Sequence, residues 1–161
     1  MKRLLWLACA LLLSACASRP PLPAQLPALA LPLQLHVQRQ QGEQRQDWLL
    51  VVQQLDGGLR WSMIDPLGIP LARQRLVDGQ WQADGLLPPN PEARELFAAL
   101  LFALTDDQQL ATLYPAATAT ASDRQLGQRW HAHYRSRNDL TLDLEHGLHY
   151  RISPLPTEVS P

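Results

Sequence analysis

The sequence predicts an α+β domain in which an antiparallel sheet carries a helical segment on one face. Period-two alternation of apolar and polar residues, punctuated by turn residues, runs from Leu33 to about Val77 and again from about Gln128 to Ile152. Between these stretches, from about Pro91 to Leu104, lies one run with helix-start residues and apolar side chains at helical spacing. Strands in hairpin order on both sides of a helix imply an antiparallel sheet with the helix packed against it.

Ahead of this domain, residues 1–15 open on Lys2 and Arg3, continue through the apolar stretch Leu4 to Leu13, and close on Ser14-Ala15 before Cys16. That is the layout of an export signal. Its apolar part falls short of the roughly 20 residues that a bilayer-spanning helix needs. Cys9 lies inside the signal, so the processed chain keeps only Cys16 and has no pair for an internal disulfide. Residues 16–32 carry five prolines without periodicity. They read as an extended, semi-rigid tether reaching roughly 3 Å per residue. A single domain over 33–153 and a flexible tail over 154–161 complete the expected organisation. Without Lys2 and Arg3 the chain has 12 basic residues, all arginine, against 15 acidic ones, a net charge of −3. No basic cluster points to nucleic acid.

Leu33, Leu35 and Val37 alternate with Gln34, His36 and Gln38 as in a half-buried strand, and 40–46 reads as a loop. Trp48 to Leu55 and Leu59 to Asp65 are strands joined by an Asp56-Gly57-Gly58 turn. A fourth strand runs from about Ile69 to Val77, and a short stretch containing Trp81 ends this meander. Asn90 is a good N-cap, Pro91 suits the first helical position, and Glu92 and Glu95 favour the positive helix end. A short second helix fits Asp106 to Tyr114, and the residues from Pro115 to Asp123 read as loop. Three more strands follow, over about Gln128 to Ser136, Leu140 to Glu145 and Leu148 to Ile152.

The side chains that chemistry would need are few. His131 and His133, two apart on a strand, would face the same way and could seat a metal, but no third ligand stands at a recognisable spacing. Asp139, Asp143, Glu145, His146 and His149 crowd the last hairpin; Asp143 and Glu145 belong to the outward half of an alternation, which makes a solvated face. No G-x-S-x-G elbow or phosphate-cradling glycine loop occurs. Neither a catalytic residue, a metal nor a cofactor is expected, and the chain reads as non-enzymatic.

Two features ask for another explanation. Apolar and aromatic side chains are abundant for so small a sheet, with Trp48, Trp61, Trp81 and Trp130 on strands. They make either a solid core or a lipid-sized cavity between a strongly curved sheet and the helix, lined by Trp61, Met63, Leu96, Phe97, Leu100 and Leu104. Both readings require the same residues. The other feature is the turn Asp65-Pro66-Leu67-Gly68, which has tight-turn chemistry yet places a leucine at its tip.

These motifs carry a resemblance. Leu13-Ser14-Ala15-Cys16 resembles a bacterial lipobox, which implies that Cys16 is the acylated anchor. Ala17, where inner-membrane retention uses Asp, implies an outer-membrane address facing the periplasm. A strand, then D-P-L-G, then a strand, in a tethered lipoprotein with a later helix over an antiparallel sheet, resembles the LolB family of outer-membrane lipoprotein receptors; the likeness covers roughly residues 47 to 105. It implies a LolA/LolB-like half-open β-barrel with one or two helices on its concave face. It also implies an acyl chain or lipoprotein as cargo, a periplasmic carrier protein as donor, and contact of Leu67 with the outer-membrane bilayer. The LolB-like lipoproteins that accompany aryl-polyene and fatty-acid-type biosynthesis clusters are similar too, and for them the cargo would be a polyenyl chain. A lipoprotein that docks a protein partner, with a solid interior, is the alternative.

Overall fold

The computed structural model describes residues 19–155. The signal and Cys16 lie outside the described residues, as does the tail beyond Leu155. Ten strands form one antiparallel sheet in the order β5-β4-β3-β2-β1-β10-β9-β8-β7-β6. The first five are β1 (Leu33–Gln41), β2 (Gln44–Leu55), β3 (Gly58–Ile64), β4 (Pro70–Val77) and β5 (Gln80–Ala83). Helices α1 (Pro91–Leu104) and α2 (Asp107–Leu113) follow. The chain then returns through β6 (Ala117–Ala119), β7 (Asp123–Leu126), β8 (Trp130–Ser136), β9 (Asp139–Leu144) and β10 (Leu148–Pro154).

Each strand pairs with its neighbour in sequence, and β1 pairs with β10, with Val37 opposite Ile152. The sheet is therefore interrupted only between β5 and β6, where the two helices are inserted. Its edges are strands of four and three residues, short enough to offer little to another chain.

The sheet wraps around α1. Phe97 of α1 lies 6.0 Å from Trp81 of β5, while Ala103 near its other end accepts a hydrogen bond from Arg124 of β7 at 3.1 Å. These strands are eight places apart in the sheet. Eight spacings would cover nearly 40 Å if the sheet were flat, and a helix is only about 10–12 Å across. Curvature brings both within reach. Ten of the fourteen residues of α1 are buried, including every position from Leu96 to Leu104. The missing polar face in the sequence thus corresponds to a helix surrounded by sheet.

The start of α1 follows the sequence closely, because Asn90 accepts the Ala93 N–H at 3.0 Å and Pro91 occupies the first turn. Elsewhere pairing overrides local pattern. The segment 40–46, expected as a loop, is mostly strand, with Gln41 opposite Gln44 and only Gly42 and Glu43 turning the chain. Once Val37 and Trp48 fix the register, ladder hydrogen bonds carry the polar ends onward. The segment 115–123, also expected as a loop, contains β6 and begins β7; small residues hide the alternation, and pairing on β8 supplies the order.

The expected tether is a further correction. Residues 19–32 run along the domain: Pro23 and Pro27 are buried, and Leu22, Leu26, Leu29 and Leu31 pack against the core. Prolines and leucines together make an apolar strip, which the exposed leucines of a free linker would not keep in water.

Candidate functional site

The β3–β4 turn is built to hold its leucine outward. Asp65 Oδ1 accepts the backbone N–H groups of Leu67 at 2.9 Å and Ile69 at 2.8 Å. The Gly68 N–H donates to Asp65 O at 3.0 Å, and the Asp65 N–H donates to Ile69 O at 2.9 Å. Gly68 has φ +84°, the left-handed region that glycine enters without a Cβ penalty. Four hydrogen bonds on one aspartate leave the loop little freedom, and Leu67 stands 84% exposed at the tip.

Leu67 is not alone. Among the described residues the exposed large apolar side chains are Leu67, Ile69 and Leu86. Leu86 follows β5, whose Ala83 pairs with Gln74, and the Asp84 N–H reaches Arg73 O, so the chain runs on beside β4 toward the end where the β3–β4 turn lies. Arg60 Nε donates to Asp84 Oδ2 at 2.6 Å and pins the base of that loop. Gly85 then turns away with φ +93°, and Leu86 is fully exposed.

This near end also holds the start of α1. A cleft of about 320 Å³ there has Trp48, Met63 and Leu71 as apolar wall and Arg39, Asn90 and Glu92 as polar rim. Arg39 Nη2 donates to Glu92 Oε2 at 3.1 Å, and Tyr150 Oη donates to Glu92 Oε1 at 2.9 Å. Burial pushes the Glu92 carboxyl up, but the hydrogen bonds from Arg39 and Tyr150 outweigh it and hold the group below its usual value. The carboxylate stays charged at neutral pH, and the rim is an ion pair beside an apolar wall.

Of the six residues expected to line a cavity, Trp61, Leu96, Phe97 and Leu100 are completely buried. Trp61 stacks on Phe97 at 5.4 Å and meets Trp81 edge-on at 6.1 Å. Met63 reaches the near-end cleft, and Leu104 borders a second cleft, of about 340 Å³, at the other end of α1. That far end is polar. Arg124, itself 7% exposed, donates to the carbonyls of Ala103 at 3.1 Å and Thr105 at 2.6 Å, and Tyr134 Oη donates to Ala103 O at 2.8 Å. A cation at the negative end of a helix satisfies carbonyls that have no partner within it.

The histidines form a ladder on the outer face. His131 Nε2 and His133 Nδ1 lie 3.1 and 2.9 Å from Asp123 Oδ1, and His149 Nδ1 lies 2.6 Å from Asp143 Oδ1. Hydrogen bonds from Ser122 and then His133 hold the Asp123 carboxyl down at about 2. Among the described residues no group of three or more His, Cys, Asp or Glu side chains is placed to hold a metal ion.

Reading the sequence missed Leu86, Ile69, Trp48 and Leu71 as parts of one end. The Leu-Leu pair ahead of Pro88 was an available signal, since two leucines in a turn-rich loop are as unusual as one at a hairpin tip. The grouping itself depends on strand direction. No family model matches the chain, and no curated protein matches it. No helix among the described residues is long and apolar enough to cross a membrane.

Proposed function

We propose that this chain is an acylated cell-envelope lipoprotein, anchored through Cys16 in the outer membrane and facing the periplasm. It binds an acyl or polyenyl chain and delivers lipid or lipoprotein cargo at the bilayer surface through Leu67. The observation that carries the reading is the Asp65-clamped turn, which holds a large apolar side chain in water where an Asp-Gly pair would close the hairpin at lower cost. Ile69 and Leu86 on the same end support it, and the cleft walled by Trp48, Met63 and Leu71 gives a chain a place to enter. On this reading the interrupted, curved sheet around α1 is a LolB-like half-open barrel, and a periplasmic carrier is the donor.

The test separates fold from delivery. Leu67→Glu removes little that is buried, so stability changes by no more than about 0.5 kcal/mol. A leucine fully buried in lipid contributes roughly 1.5–3 kcal/mol, so transfer of a fluorescent fatty acid to phospholipid vesicles falls about ten- to a hundredfold. Leu86→Glu gives a smaller loss in the same direction. Wild-type transfer by the Leu67 variant sinks the reading.

A second reading has its own observation. Trp61, Phe97 and Trp81 fill the interior beside α1, as a solid core would, which favours a structural lipoprotein that docks a protein partner. Mass spectrometry of lipids co-purifying with the wild-type protein distinguishes them: a stoichiometric acyl species supports binding, and none supports the docking role.

A further inference from the structure

The N-terminal segment and Leu67 are at opposite ends of the sheet. Arg19, Pro20 and Leu22 share a cleft of about 430 Å³ with Gly79, Gln80 and Trp81, at the β4–β5 turn, and with Arg94 of α1. The Leu67 turn is at the other end of β4. The eight residues of β4 separate them by about 25 Å at the usual rise of a strand. Cys16 lies three residues before Arg19, a reach of about 10 Å at full extension. With the segment seated on the domain, an anchor at Cys16 and an upright Leu67 therefore face away from one another.

The seat is held by apolar contact rather than by directed bonds. Residues 19–32 form no strand, and among the described residues their hydrogen bond to the domain is the Ala28 N–H to Gln109 Oε1 of α2, 3.0 Å and exposed. The rest is half-buried leucine and buried proline, contacts without direction that a released, extended segment gives up in small steps. Trp81, which lines the seat, has its indole N–H buried without a hydrogen-bond partner among the described residues.

We infer that residues 19–32 are a releasable strap: seated, they hold the anchor at the far end, and unseated, they become the tether that lets Leu67 reach the bilayer holding Cys16. Released, residues 16–32 span about 50 Å at roughly 3 Å per residue, twice the length of β4. Release is favoured when acyl anchor and Leu67 enter one bilayer. The inference rests on the reading of Cys16 as anchor and Leu67 as membrane contact.

Two nitroxide labels report the strap: Ala28→Cys with Thr112→Cys, both exposed positions, in a chain whose only other mature cysteine is Cys16. In soluble Cys16→Ser protein their distance distribution is short and narrow. In the lipidated protein on phosphatidylethanolamine–phosphatidylglycerol vesicles it broadens and moves outward by more than 10 Å. A reducible bismaleimide cross-link between the same two cysteines locks the strap, lowers fluorescent fatty-acid transfer from the lipidated protein at least tenfold, and reductant restores it. A short distance retained on vesicles, with transfer that is unaffected by the lock yet lost in Leu67→Glu, overturns the strap: the molecule then lies on its side with both ends in contact. Transfer that survives Leu67→Glu removes the membrane reading itself, whatever the labels show.

Discussion

The hairpin turns at the two ends of the sheet meet the same geometric demand with different residues. At the far end, Asp56-Gly57 and Asp78-Gly79 close β2–β3 and β4–β5, with φ of +42° and +76° in the first pair and +49° and +70° in the second. Two positive φ values match the twist of the strands they join, and short polar residues sit in water at no cost. At the near end, β3–β4 uses a longer turn in which one aspartate ties down two backbone N–H groups and a leucine is left exposed. Closing a hairpin in this sheet does not require a leucine. Its presence on a clamped loop, beside Ile69 and on the same end as Leu86, is what separates a surface for a partner from a surface for solvent.

The ends of α1 repeat the contrast and give the largest expected effect. Arg124→Ala strips the far end of the cation that satisfies the Ala103 and Thr105 carbonyls and pairs with Asp107. The Thr105 carbonyl is then left without that donor, while Ala103 O keeps Tyr134 Oη; a buried carbonyl without a partner costs roughly 1–3 kcal/mol, and a loss of about 2 kcal/mol lowers Tm by roughly 6 °C. Calorimetry checks the fall, and fatty-acid transfer per folded molecule is unchanged because the near end is untouched. An effect on transfer at constant stability would mean that the two ends are not independent.

Asp65→Ala acts in the opposite place and to a smaller degree. It removes the acceptor for Leu67 and Ile69, a loss comparable to that of a helix cap, about 1 kcal/mol. Transfer falls further than that figure alone implies, since a loose loop no longer presents Leu67 before it meets lipid. Asp65→Asn keeps an acceptor oxygen and restores most of both, as thermal melts and transfer rates together would show.

Acid gives the smallest effect. The folded values of Glu92 and Asp123 lie below their ordinary ones, so the stability they lend is complete above the unfolded values near 4 and is lost as pH falls through the folded values, about 2 for Asp123. Tm is therefore flat from neutral pH down to about 5 and declines below 4. Glu92→Gln lowers Tm at pH 7 and shallows the decline, because the carboxylate that Arg39 and Tyr150 hold no longer titrates.

Local chemistry was enough for some of these elements. Alternation set β1, β3, β9 and β10 on the right face, Asn90-Pro91 started α1 at its first residue, and Asp65-Pro66-Leu67-Gly68 announced an exposed leucine. Tertiary structure decided what depends on residues far apart. The β1–β2 register drew the polar segment 40–46 into strand, and pairing with β8 made β6 and β7 from small residues that carry no alternation. Packing laid a proline-rich segment along the core, because its leucines gain more against the sheet than in water. Most of the site was beyond the sequence for the same reason. A residue's face follows from a period of two, but the end of a molecule at which it stands follows only from the direction of every strand that leads to it.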